Sequence, residues 1–234
     1  MKFLPTTKEE MKNLGWDSID VLLISGDTYL DTSYNGSALI GKWLVEHGFK
    51  VGIIAQPEVD VPDDITRLGE PNLFFAVSGG CVDSMVANYT ATKKRRQQDD
   101  FTPGGVNNKR PDRAVLVYSN MIRRFFKGTT KKIIISGIES SLRRITHYDY
   151  WTNKLRKPIL FDAKADILSY GMGEISMLQL ANALKNGEDW KNIKGLCYLS
   201  KEMKEEYLSL PSHSECLADK DKFIEAFHTF YLNC

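Results

Sequence analysis

The densest run of chemically capable side chains in this 234-residue sequence lies between Ser136 and Trp151, and it holds Glu139, Arg143, Arg144, His147, Tyr148, Asp149 and Trp151. Two adjacent arginines are of the type that clamps a carboxylate or a phosphate. His147 and Asp149 are of the types that serve as an acid–base pair. No nucleophile stands beside them at a recognisable spacing. The same residues would equally suit an interdomain surface held by ion pairs and aromatic rings, and either use makes the segment functional. It follows a bare apolar run, Ile133–Ile135, and in open parallel sheets ligands sit beyond the carboxyl ends of the strands.

Three other loops follow apolar runs in the same way. Ser25-Gly-Asp27-Thr28-Tyr29 places Asp27 and Thr28 after the first run; Asp27 could bind a ligand hydroxyl or cap a turn. The loop is not GxGxxG, so the dinucleotide fingerprint is absent. Ser78-Gly79-Gly80-Cys81 follows the third run. Its glycines permit either a close backbone approach to a ligand or a tight turn. Cys81 could be buried at a helix start, where the dipole would lower its pKa. Gly171-Met-Gly173-Glu174 follows the last run. Backbone N–H groups there could hold an anion, or Glu174 could itself complement the helix dipole.

The elements that must position these loops are legible as periodicities. Five short apolar runs, Val21–Ile24, Val51–Ala55, Leu73–Val77, Ile133–Ile135 and Ile167–Tyr170, are mostly continuous rather than alternating, as in strands covered on both faces. Helical spacing lies between them. It shows at Ile40, Trp43, Leu44 and His47, at Val82, Met85, Val86 and Tyr89, from Ala114 to Phe125, and from Met177 to Leu184. Strands alternating with helices predict an α/β fold with a doubly wound, mostly parallel five-stranded sheet. We expect residues 1–194 to form this domain, with a polar insertion at about 90–112, and residues 195–234 to form a tail. Such an insertion is functional or mobile. In the tail, Phe223, Ala226, Phe227 and Phe230 make an apolar stripe that needs a partner surface, on this domain or beyond residue 234.

Composition narrows the function classes. A net charge of +1 argues against a general polyanion binder. The one dense basic run, Lys93-Lys-Arg-Arg96, meets Asp99-Asp100 at once and is read as a solvated helix end, so nucleic acid is not indicated. No apolar run suits a bilayer span or a signal peptide. Cys81, Cys197, Cys216 and Cys234 are scattered without CxxC or CxxxCxxC pairing, so no metal site is predicted and reduced cytoplasmic thiols are the simplest account.

Several strings carry a resemblance. The first strand and loop, the helix ending at Gly48-Phe49, and Val51-Gly-Ile-Ile54 resemble the cobalamin-binding-like domain at the N-terminus of many radical SAM enzymes, and the resemblance implies a sheet of flavodoxin-like order. Ile135-Ser-Gly-Ile-Glu139 and Tyr170-Gly-Met-Gly-Glu174 occupy the places of that domain's glycine loop and GEGE turn. The sequence is more closely similar to the N-terminal region of YgiQ-type radical SAM proteins. Phe3-Leu-Pro-Thr-Thr7, Gly52-Ile-Ile-Ala-Gln-Pro57, Thr102-Pro-Gly-Gly105, Arg110-Pro-Asp-Arg113, Ser140-Ser-Leu-Arg-Arg144, His147-Tyr-Asp-Tyr-Trp151 and Lys164-Ala-Asp166 all resemble that family.

The resemblance implies a core that follows this region. That core carries CxxxCxxC, whose thiolates hold a [4Fe-4S] cluster that binds and reductively cleaves S-adenosylmethionine. This sequence has no such motif, so we expect an N-terminal piece that binds no cofactor and is not catalytic alone. Its partner would be the radical SAM core on the same polypeptide, with an unknown substrate, and Glu139–Trp151 would face the one or the other. The wider class carries DxHxxG after its first strand, with the histidine on cobalt. Here Asp27-Thr-Tyr-Leu-Asp31 has no histidine, so histidine-ligated cobalamin is not expected. Base-off cobalamin stays open, as does filling of that space by Tyr29, Tyr34 and the insertion. Two alternatives remain: a stand-alone module for a corrinoid or anionic metabolite, and a scaffold that docks a partner through the Phe223–Phe230 stripe.

Overall fold

A computed structural model describes residues 3–29 and 35–233. Asp31, Tyr34 and Cys234 lie outside the described residues. The elements in chain order are α1 (Lys8–Asn13), β1 (Val21–Ser25), α2 (Gly36–Glu46), β2 (Val51–Ala55), α3 (Pro62–Thr66), β3 (Phe74–Ser78), α4 (Ser84–Asn88), α5 (Ala114–Phe125), β4 (Lys132–Ser136), α6 (Gly137–Leu142), β5 (His147–Asp149), β6 (Lys154–Arg156), α7 (Ile159–Ala163), β7 (Ile167–Ser169), α8 (Glu174–Asn186), β8 (Leu196–Tyr198), α9 (His213–Ala218) and α10 (Lys220–Leu232).

The main sheet has the order β2-β1-β3-β4-β7-β8. Its first five strands are parallel, in the flavodoxin-like order predicted. A sixth strand, β8, adds an antiparallel edge by pairing Ile167 with Tyr198. It comes from Leu196–Tyr198, in the segment read as tail, where three half-buried residues carry too short a pattern to announce a strand. Along β1 every residue is buried, because alternate side chains enter different cores. Leu22 and Ile24 join Phe75, Val77, Ile133 and Ile135 under α1, α3, α5 and α7. Val21 and Leu23 join Ile53, Phe74 and Ile134 under α2 and α8. Apolar demand on both faces is why the strands read as continuous runs.

The helix boundaries follow local chemistry. At α1, Thr7 and Glu10 form a capping box. At α8, Gly187 ends the helix in the left-handed region at φ 71°. The helix expected across Val82–Tyr89 is shorter, Ser84–Asn88, because Asp83 caps it and Tyr89 returns to extended backbone. The stripe on α10 divides. Ala226 is buried and Phe223 and Phe230 are half-buried, whereas Phe227 is exposed.

The insertion is ordered. Isolated bridges Tyr89–Arg95 and Gln98–Val106 and a 3-10 turn at Pro103–Gly105 shape it. Gln56 Nε2 donates to Thr102 Oγ1 at 2.7 Å and to Gly26 O at 3.0 Å, and Thr28 N donates to Phe101 O at 2.8 Å. The insertion is thereby fastened to the loop after β1.

Candidate functional site

Order reverses between β1 and β3, since β1 leads to β2 on one side while β3 lies on the other. That switch point opens a crevice at the carboxyl ends. The two loops cross there at close range. Gly26 N donates to Ser78 O at 2.9 Å, and a Cβ on Gly26 would overlap Gly79 O. Gly80 has φ +112°, and a Cβ on it would overlap the Asp27 carboxylate. Here the glycines are required for close contacts inside the protein, Gly26 against backbone and Gly80 against the Asp27 side chain.

Asp27 is buried and accepts from Cys81 N at 2.6 Å. Arg110 Nη1 lies 2.8 Å from Asp27 Oδ1. That contact is one of charge rather than an aligned hydrogen bond, because the Nη1–H donates to Gly79 O at 3.0 Å and Asp27 Oδ1 has no hydrogen-bond partner. Arg110 Nη2 reaches Asp99 Oδ2 at 3.2 Å. The guanidinium is fully buried, so one cation from the insertion is shared by two buried carboxylates and holds three loops. Asp99 and Arg110 had no assigned role in the sequence, where each is one charge among many. Thr28 also serves the frame, through its backbone: Asn35 Nδ2 donates to Thr28 O at 3.0 Å.

Glu139 is buried, 1 % exposed. It accepts from Ser84 N at 3.0 Å and Val115 N at 3.2 Å, so one carboxylate satisfies the first turns of α4 and α5. Burial, with help from the Asp83 carboxylate, pushes its pKa up. The two arginines diverge. Arg143 pairs with Asp83 and donates to Glu139 O at 3.0 Å, whereas Arg144 lies over the Tyr170 and Phe230 rings, 4.8 and 4.3 Å from their centroids. They do not form a joint clamp.

His147, Tyr148 and Asp149 lie on β5, paired antiparallel with β6. His147 Nδ1 is 3.1 Å from Ile145 O, and burial lowers its pKa. Asp149 is buried. Burial alone would raise its pKa, but hydrogen bonds from Thr152, Arg113 (2.8 Å) and Arg156 (3.0 Å) hold the carboxyl well below its usual range. Arg113 adopts φ +55° to make its reach. Committed to two arginines, Asp149 is an anchor for the hairpin rather than a base partner of His147. Tyr148 is half exposed, and Trp151 packs on Tyr89 with centroids 4.9 Å apart.

Two concavities result. The first, about 380 Å³, is lined by Ser78, Ser136 and Ser169 at the ends of β3, β4 and β7, with Gly80, Gly171, Gly173 and Glu174 on its rim. Ser25 ends β1 in the same register, paired with Ser78, which pairs with Ser136. Two of the hydroxyls serve the turn that follows, Ser25 Oγ accepting from Asp27 N at 3.1 Å and Ser78 Oγ from Gly80 N at 3.2 Å, while Ser169 Oγ meets Ser176 Oγ of α8 at 3.0 Å and Ser136 Oγ donates to Val77 O at 3.5 Å. This recurring terminal serine is a signal that the sequence itself carries. α8 begins without a capping side chain. The walls, including Leu23, Ile40, Ala76 and Met177, are apolar. Such a cleft suits a small, largely apolar ligand held by a few polar groups.

Cys81 does not take the buried position open to it at the helix start. It is exposed on this rim, two positions before the Asp83 cap. Partial burial of the thiol and the Asp27 carboxylate push its pKa up to about 12. The second concavity, about 670 Å³, lies between the insertion and the β5–β6 hairpin and includes Tyr89, Arg143, His147, Tyr150 and Trp151. The sequence segment Glu139–Trp151 therefore splits: Glu139 is internal, whereas His147–Trp151 form a groove wall.

Comparison with known proteins places this geometry. Residues 3–234 match the radical SAM N-terminal family. The chain belongs to that family. It is 97% identical over 234 residues to a UPF0313 protein of Fusobacterium nucleatum, covering all of this chain and 41% of that protein. A UPF0313 protein of Thermotoga maritima is 52% identical over 227 residues, covering 96% of this chain and 40% of its own length. This radical SAM N-terminal chain thus spans about 40% of the length of these relatives. In fold it is similar to the radical S-adenosylmethionine methyltransferase TsrM of Kitasatospora setae, solved with cobalamin and a [4Fe-4S] cluster bound. That match has TM-score 0.52 at 16% identity and covers 79% of this chain and 28% of TsrM. A second TsrM structure, with tryptophan substrate and an S-adenosylmethionine analogue, matches with TM-score 0.51 at 16% identity over 77% of this chain and 28% of that one.

The described residues hold no group of three or more His, Cys, Asp or Glu side chains arranged to take a metal ion. Cys81, Cys197 and Cys216 are free thiols. These residues do not fit a cysteine-ligated cluster. No described helix is long and apolar enough to cross a membrane.

Proposed function

We propose that this chain is the accessory domain of a radical SAM protein. The iron–sulfur centre and S-adenosylmethionine site would belong to a core on the same polypeptide, and the chain would contribute its carboxyl-end cleft and the His147–Trp151 wall as surfaces for that core or its substrate. One observation carries the reading: a family match over residues 3–234 in a chain that spans 41% of a 97%-identical relative. Full-length Fusobacterium relative, reconstituted anaerobically with iron and sulfide, should show cluster absorbance and cleave S-adenosylmethionine. The 234-residue chain treated alike should do neither. A full-length protein that forms no cluster would refute the proposal.

A second reading rests on the cleft and the TsrM likeness: the chain binds a corrinoid in its carboxyl-end cleft. No histidine is among the described residues lining that cleft, so binding would use no imidazole ligand. Ligand that binds the native state raises the melting temperature by mass action. Unchanged melting with excess cobalamin would remove this reading.

A further inference from the structure

We propose that the groove between the insertion and the β5–β6 hairpin is a nucleotide site, with a base stacked on Tyr150 and Trp151 and phosphate held by the basic run at Lys93–Arg96. In the sequence these features stand some fifty residues apart, and the basic run looks balanced by Asp99 and Asp100. The fold changes that account. Asp99 is buried against Arg110, so it does not offset the run, and only Asp100 stays exposed beside it. The acids near the groove are each engaged: Asp83 by Arg143, Asp112 by Arg95, and Asp149 by Arg113 and Arg156. Lys93, Lys94 and Arg96 are exposed cations without a carboxylate partner among the described ion pairs; Arg96 lines the groove and Lys93 Nζ reaches Trp151 O at 3.3 Å.

The facing wall is aromatic. Tyr150 is 49% and Tyr148 50% exposed, and Trp151 lies between Tyr89 and Tyr150 with centroids 4.9 and 5.7 Å away. Lys93 Nζ lies 4.6 Å over the Tyr150 ring and 5.8 Å from the Trp151 centroid. A cation already rests on the face that a base would take. A stacking base would displace the ammonium toward its own phosphate, replacing one cation–π contact with a stack and an ion pair. Arg96 is held for the same use: its Nε donates to Val86 O and Tyr89 O, both at 3.1 Å. The Tyr150 hydroxyl donates to Ala91 O at 2.8 Å, which fixes the ring plane. The volume of about 670 Å³ lies within the range of small-molecule sites. The ligand chemistry is a base bearing phosphate, free or within a single strand.

The test is fluorescence anisotropy of labelled dodecaadenylate with the 234-residue chain, with unlabelled AMP and inorganic polyphosphate as competitors. Saturable binding is expected. Tyr150→Ala should weaken it about tenfold, as for other stacked aromatics. If Lys93, Lys94 and Arg96 each take a phosphate, the slope of log affinity against log salt should be about −2, and Lys93→Ala should flatten it. Displacement by AMP at matching concentration would identify a free nucleotide; AMP failing where the strand binds would identify a single-stranded nucleic acid. Both support the site. No binding at millimolar ligand would overturn it, as would binding that ignores both substitutions in variants with unchanged melting. Polyphosphate competing as well as the strand would reduce the effect to polyanion attraction and also overturn it.

Discussion

Replacing Arg110 by Met tests whether one buried cation holds the loops of the cleft together. Met keeps much of the side-chain volume and removes the charge. The change leaves Asp27 and Asp99, 4% and 5% exposed, without the guanidinium that lies 2.8 and 3.2 Å from them. Breaking a buried pair by removing one partner costs about 3–5 kcal/mol, a large part of the roughly 5–15 kcal/mol that a domain has in total. For a chain of this size each kcal/mol lowers Tm by about 2–4 °C, so a fall of about 6–20 °C is expected by calorimetry. The pH dependence identifies the cause. Buried carboxylates without a cation have raised pKa values, so the folded state then favours their neutral forms. Arg110→Met should therefore lose least stability at low pH and most at neutral pH. Adding Asp27→Asn and Asp99→Asn should recover much of the loss, since no uncompensated charge remains. A variant within about 1 kcal/mol of the parent at neutral pH, below the cost of a broken buried pair, would refute the reasoning, as would a deficit independent of pH.

Gly80→Ala should destabilise by more than Gly171→Ala: both have positive φ, but only at Gly80 would the new Cβ meet Asp27 and Arg110, whereas Gly171 has open space. The second change should cost about 1–2 kcal/mol, and urea midpoints would compare them. Cys81 is exposed, yet with a pKa near 12 it should alkylate with iodoacetamide at pH 8 at least about a hundredfold more slowly than an ordinary thiol; rapid labelling would show that Asp27 does not govern it. Asp149 has a lowered pKa, so its contribution is present above the usual carboxylate range and is lost as pH falls through and below that range. The stability gap between the parent and Asp149→Asn should therefore narrow between pH 5 and pH 3, the region where carboxylates protonate. Arg144→Ala removes the cation over Tyr170 and Phe230 and should speed hydrogen exchange in α10 without changing exchange in β1 and β3.

The strand runs, helical spacings and glycine loops of this sequence determined the α/β class and the end of the sheet to inspect, while the sheet order was implied by the family resemblance. These are local signals: an apolar run buried on two faces looks continuous wherever it occurs. The absence of CxxxCxxC was equally legible. Tertiary structure alone decided what the polar residues do. Glu139 and Asp27 had the side chains of ligand-binding groups, but their partners, Ser84, Val115 and Arg110, stand 24 to 83 positions away, and packing turned both inward. Arg143 and Arg144 are adjacent in sequence, yet a chain leaving a helix sends neighbouring side chains apart, one to Asp83 and one to Phe230. The strand Leu196–Tyr198 was hidden because an edge strand of three residues draws its stability from β7, not from its own pattern. Charge pairing is set by distance in space. The sequence displayed the cations and acids, and only the fold decided which neutralise one another.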